Sequence, residues 1–234
     1  MKVRYLIKFT KEADIKFLAH LDLMRTIQRI VRRADLPASY SKGFNPHMSL
    51  SLAQPLPVGV YSIGDYMDLD LDFEVASDEI INRLNAASPL GIRFLAAVPI
   101  RNLGEKKLPQ AMALLEAARY TIKIKAKDNN IVDKVNTLLA QDSYIAVKKG
   151  KKGEKTIDMK PMIKEIKYWL KENTLVFKLL LSCGSRENLS PELLAGYIAD
   201  NTDGICKDDF IEIYREEMYT IKDGRLVSLI NYVS

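Results

Sequence analysis

Arg25, Arg29 and Arg32 are spaced four and three residues apart, which puts three guanidiniums on one side of any helix that carries them. Arg33 stands beside the row, and Asp22 lies one turn before Arg25, placed to pair with it. Planar guanidinium forks match phosphate oxygens. A solvated helix face would show the same row. A second cluster follows: Tyr40-Ser41-Lys42-Gly43-Phe44-Asn45-Pro46-His47. Aromatics interleaved with cations suit single-stranded nucleic acid, because bases stack on the rings while cations hold phosphates. In that reading Tyr40 and Phe44 stack, and Lys42, Asn45 and His47 supply polar contacts. Gly43 allows close backbone approach. The same stretch could instead be a turn with Phe44 tucked into the core.

The two histidines of the chain, His20 and His47, both fall in this region. With Ser41 and Lys42 they supply groups that could cleave RNA by acid–base chemistry without metal. No spacing motif demands that chemistry, and the balance points away from an enzyme. Asp65, Asp68, Asp70 and Asp72 form an acidic row. A two-metal site needs carboxylates converging from several elements. These lie along one strand, about 7 Å apart per two residues, and are expected on a solvated face. Further on, Lys148 to Lys155 forms a basic hairpin tip in which Lys149, Lys151 and Lys152 are candidate phosphate contacts. A plain solvated loop would have the same composition.

Cys183 and Cys206 stand far apart, so thiolates alone build neither a zinc site nor an iron–sulfur cluster. Both are expected as small buried residues. No cofactor and no metal are expected in this chain. It also lacks a P-loop, G-x-G-x-x-G, G-x-S-x-G and H-E-x-x-H.

The elements that must position these residues alternate clearly. Val3 to Phe9 is a strand, and His20 to Ala34 a helix with Leu21, Met24, Ile27 and Val31 toward the core. Ser49 to Ala53 is extended, and Pro55 to Gly59 is a turn. Tyr66 to Phe73 is a strand with Met67, Leu69, Leu71 and Phe73 inward. Ser77 caps a second helix, Ser88-Pro89 ends it, and Ile92 to Val98 is a strand. Arg101 to Gln110 is a linker. The plan then repeats. Tyr120 to Ala126 is a strand and Ile131 to Leu139 a helix. Extended segments flank the basic loop, and Thr174 to Leu181 is a strand. Ser190-Pro191-Glu192 opens a helix, Phe210 to Thr220 is a long strand, and Leu226 to Val233 forms a tail. The expectation is an α+β fold of two tandem ferredoxin-like βαββαβ units with antiparallel sheets. The first covers 1–108, the linker 109–117, and the second 118–234. One irregular α+β domain is the alternative.

The 234 residues are 47% hydrophobic and 28% charged, enough for a real core, with a formal net charge of +5. The pI near 9.0 is compatible with a polyanionic partner such as RNA. No apolar run approaches the roughly 18 residues that span a bilayer, and the N-terminus lacks a signal-peptide core. A cytoplasmic protein without a membrane partner is expected.

Four stretches carry a resemblance. They are Phe17 to Arg25, Arg32 to Pro37, Tyr40 to His47, and Pro55-Leu56-Pro57-Val58-Gly59. Over nearly the whole chain these resemble the radical-SAM-linked conserved bacterial family, a domain of unknown function. That domain stands beside, or is fused to, cobalamin-binding radical SAM proteins. Met48 stands where the pattern has proline and Ala19 where it has serine. The resemblance implies a cobalamin-binding radical SAM protein as partner and supplies no activity. This chain lacks the three-cysteine motif of such enzymes. Three roles follow. The first is a non-catalytic RNA-binding or substrate-presenting accessory protein. The others are a metal-independent endoribonuclease using His20 or His47, and a protein adaptor docking on the radical SAM subunit. The tandem plan also resembles, in fold alone, the RNA-binding repeat proteins of CRISPR RNA processing.

Overall fold

The structure is a computed structural model that describes residues 2–100, 108–128, 130–150 and 153–233, without the side chains of 148–150. The chain forms two units, Met1–Glu116 with Glu217–Ser234, and Ala117–Glu216. It is a mixed α+β protein whose registered strand pairs are antiparallel.

The first unit runs β1 (Val3–Lys11), α1 (His20–Arg33), β2 (Leu50–Leu52), β3 (Tyr61–Leu71), α2 (Ser77–Ala87), β4 (Phe94–Ile100) and a short α3 (Ala111–Leu114). Its strands lie in the order β4-β1-β3, with β2 paired to β3. Alternation in β1 and β3 buries Tyr5, Ile7, Phe9, Met67, Leu69 and Leu71 with the apolar stripes of α1 and α2. Asn85 fastens α2 to β4, donating to the Phe94 carbonyl at 2.9 Å and accepting its amide at 2.8 Å. Lys11 is fully buried, and its Nζ donates to the carbonyls of Lys16 (2.8 Å) and Val60 (3.1 Å). The amide of Gly59 donates to the same Lys16 carbonyl. The chain entering α1 is thereby tied to the Pro55–Gly59 turn.

The second unit runs β5 (Ala117–Lys125), α4 (Ile131–Leu139), β6 (Ile145–Gly150), β7 (Gly153–Asp158), β8 (Ile163–Lys171), β9 (Thr174–Ser182) and α5 (Pro191–Asp200). Strands β5, β9 and β8 are consecutive neighbours, while β6 and β7 pair as a separate hairpin. Ser190 caps α5 by accepting from the Leu193 amide, with Pro191 at the first helical position. Strand β10 (Glu212–Lys222) starts here and ends in the first unit, followed by β11 (Arg225–Ser228) and α6 (Leu229–Val233). In the first unit Glu217 accepts from Lys8 Nζ and Tyr66 OH, each at 2.6 Å. Burial, and then the Glu217 charge, push the Tyr66 phenol up.

Local expectations are corrected or refined at four points. Ser77 is the first helical residue; Ala76 precedes it and makes no side-chain cap. Phe73 lies past the end of β3 and is exposed. The tail begins as the short strand β11, paired with Tyr219 to Lys222 of β10, and continues as the helix α6. The acidic row is only in part a solvated face: Asp72 is exposed and Asp70 half-buried, but Asp65 and Asp68 are buried. Asp70 pairs with Arg4 at 3.2 Å.

Asp68, 2% exposed, accepts the Ala111 amide at 2.9 Å. Burial pushes its pKa from 3.8 up to about 6, against the opposing pull of that amide and of Arg4. The folded state thus holds this proton more tightly than the unfolded chain does. Stability should fall as pH rises from about 4 to about 6, and the loss should persist above that range. Asp68→Asn is expected to stabilise the protein at pH 7.5 by on the order of 1–3 kcal/mol. The gain should vanish near pH 4 in urea unfolding. A gain independent of pH would contradict this assignment.

Candidate nucleic-acid interface

Helix α1 buries Leu23, Ile27, Ile30 and Val31. This is not the stripe expected from the spacing. Ile27 and Val31 belong to it and half-buried Met24 packs against the same core, but Leu21 is 64% exposed. The first turn contains three apolar residues, Leu21, Leu23 and Met24, and the wider 23/27/30/31 stripe decides which one turns inward. Arg25, Arg29 and Arg32 consequently face water.

The arginines differ in their commitments. Arg25 Nη1 donates to Asp22 Oδ1 at 3.1 Å, an exposed pair of small energetic weight. Arg29 and Arg32 have no ion pair or hydrogen bond among the described residues. Arg33 is used structurally, donating to the Ala87 carbonyl at the end of α2 at 2.6 Å. In return, Arg83 of α2 donates to the carbonyl of Asp35, just past α1, at 3.1 Å. Cations at helix C-termini meet unsatisfied carbonyls and the negative end of the dipole. Nothing in the sequence spacing reveals this exchange, since its two arginines come from different helices.

The Tyr40–His47 stretch forms an arch with a locked base. Ser39 donates its amide to the Asp70 carbonyl (2.8 Å) and its hydroxyl to Asp72 Oδ1 (2.5 Å). Ser49 donates to the Ser39 carbonyl at 2.8 Å, and Tyr40 bridges Met48. The Ser41 amide donates to the His47 carbonyl at 2.8 Å, and the His47 amide donates back to Ser41 Oγ at 2.9 Å. Met48 supplies the buried anchor, so Phe44 is not needed in the core. Residues 42 to 46 stand in solvent with Phe44 fully exposed. Gly43, at φ +124°, occupies backbone space that a side chain would strain.

The histidines are not joined. His20 is the first residue of α1, and its Nδ1 is buried without a hydrogen-bond partner. His47 is exposed. No hydrogen bond among the described residues links His20 to His47, Lys42 or Ser41. In the second unit, Lys149 lies in β6 opposite Glu154 of β7, and its side chain is outside the described residues, as are Lys151 and Lys152 altogether. Lys160 donates to the Gln141 carbonyl at 2.5 Å. Among the described residues no three His, Cys, Asp or Glu side chains gather as a metal-ligand set. No helix among them is long and apolar enough to cross a membrane.

Comparison with protein families gives a match over residues 4–191 to the model described as "Uncharacterized protein conserved in bacteria (DUF2344)". The chain belongs to this family. The DUF2344 match includes α1, the arch and the β6–β7 hairpin. No curated protein matches the chain. Among solved structures it is similar to one described as "Crystal Structure of an Unknown Protein from Galdieria sulphuraria". That likeness has 11% identity over 78% of this chain and 81% of the other, with a TM-score of 0.26, too low to carry an argument.

The rotation of α1 can be tested directly in this DUF2344 protein. Ile27→Ala should cost about 2–5 kcal/mol of stability. Leu21→Ala should change it by less than about 0.5 kcal/mol. Equal losses in chemical denaturation would mean that the helix is turned differently.

Proposed function

We propose that this chain is a non-catalytic RNA-binding or substrate-presenting accessory protein for a radical SAM enzyme. The observation that carries the RNA reading is the pair of uncommitted guanidiniums, Arg29 and Arg32, on the water-facing side of α1. Guanidinium forks suit phosphate oxygens. The arch adds an exposed ring, Phe44, with Lys42 and Asn45 at the same tip. A fully exposed phenylalanine forgoes on the order of 2 kcal/mol of burial, which makes it a natural contact for a partner. Lys149, Lys151 and Lys152 remain proposed secondary phosphate contacts.

The partner rests on the resemblance of Phe17 to Gly59 to the radical-SAM-linked family. Cys183 and Cys206 provide no three-cysteine cluster, which suits an accessory role beside a cobalamin-binding enzyme. The tandem ferredoxin-like plan belongs to the same proposal. Supporting it, the first unit has the βαββαβ order with β4-β1-β3 and β2 on β3. The second unit carries the extra β6–β7 hairpin within the plan.

The test is binding of structured RNA by the full chain across a salt series. Binding should weaken steeply with salt. The Arg29→Ala, Arg32→Ala variant should lose roughly tenfold in affinity and about two units of salt slope. No binding at low salt, or an unchanged double variant, would overturn the proposal. RNA cleavage in chelator, lost with His20→Ala and His47→Ala together, would replace it with the endoribonuclease. Capture of the radical SAM subunit after nuclease treatment, without RNA affinity, would replace it with the adaptor.

A further inference from the structure

The β5-β9-β8 sheet of the second unit has two unlike faces. On one, Leu175, Phe177, Leu179 and Leu181 of β9 are all buried. Tyr168 of β8 stacks near Phe177 and hydrogen-bonds Asn136 of α4, so this is the helix-covered side. The alternate residues make the other face, on which Thr121, Val176 and Leu180 are also buried and exposure is concentrated on the lysines and Trp169. Antiparallel register sets Lys167, Lys178 and Thr121 in one row across β8, β9 and β5. Trp169, Val176 and Lys123 form the next row, and Lys171, Thr174 and Lys125 the third.

Several cations on this face are neutralised. Lys123 pairs with Glu212 at 2.9 Å, and Lys178 lies 3.5 Å from Glu216. Arg119 pairs with Glu165 at 3.1 Å. Lys167 and Lys171 have no such partner among the described residues, and Lys125 donates only to the Thr174 hydroxyl. The uncompensated charge therefore gathers around Trp169, which is 41% exposed between Lys167 and Lys171. Lysines on an edge strand such as β8 also discourage sheet-to-sheet pairing. That function needs no indole, and an exposed indole works against it.

We propose that the exposed β8 side of this sheet face binds single-stranded RNA, with Trp169 as the stacking platform and Lys167, Lys171 and Lys125 as phosphate contacts. A flat face of β-strands bearing an exposed ring and flanking cations can hold an unstacked base and its backbone. Bases inside a duplex are already stacked and offer the ring no free face. The identity of the polymer rests on the RNA reading above. The single-strand preference rests on Trp169 and needs no part of α1.

Trp169 is the chain's one tryptophan, so emission excited selectively from tryptophan reports this site in the whole protein. Titration with a single-stranded uridine oligomer should quench it saturably, and salt should reverse the quenching. The same length of duplex RNA should leave it nearly unchanged. Lys167→Glu with Lys171→Glu should weaken the binding read by quenching at least roughly tenfold. By anisotropy of labelled oligomer, Trp169→Ala should weaken binding about tenfold and Trp169→Phe should largely preserve it. RNA bound by anisotropy with unchanged Trp169 emission would overturn this site and leave the α1 reading standing. No RNA bound by either readout would overturn both. Equal quenching by duplex would overturn the single-strand assignment.

Discussion

The rotation of α1 about its own axis governs what the first unit presents to solvent. Leu23, Ile27, Ile30 and Val31 are buried against the sheet, and burying four such side chains stabilises this one orientation by several kcal/mol. With that stripe inward, the backbone leaves Arg25, Arg29 and Arg32 outward. The ends of α1 and α2 are fastened by the exchanged bonds of Arg33 and Arg83 to each other's terminal carbonyls. A helix held in this way presents its guanidiniums on a rigid support. The side chains themselves keep the rotamer freedom that adapting to phosphates requires.

The arch behind the helix follows a different principle. Its rigidity comes from hydrogen bonds at the base, where Ser39 and Met48 are buried. The tip is thereby relieved of any structural duty, and Phe44 is spent on solvent. Buried polar groups are handled with the same economy elsewhere. Lys11 satisfies two carbonyls, and Glu217 gathers Lys8 and Tyr66. Asp68 holds the Ala111 amide at the start of α3.

Much of the element order was legible in the sequence, and much of the side-chain environment was not. The strand signals of β1 and β9, the Ser190–Pro191 cap and the Ile131–Leu139 period are local signals that tertiary packing leaves alone. Asp68 of the acidic row is not on a solvated face, because alternation on β3 cannot reveal that a distant segment, at Ala111, meets its carboxylate. Leu21 misled because three apolar residues share the first turn of α1. The return of Glu217–Ser234 to the first unit rests on contacts made some 150 to 200 residues away in sequence, such as those of Lys8 and Tyr66 with Glu217. The cations around Trp169 are illegible in the sequence for a similar reason. Their rows are assembled from three strands and become visible only with the register in hand.

The most direct test of the central claim is photocrosslinking of 4-thiouridine-containing RNA to the full chain, with adducts mapped by mass spectrometry. Adducts are expected on the peptides that carry Arg25 to Arg32 and Tyr40 to His47. Efficient crosslinking that spares both segments would contradict that claim.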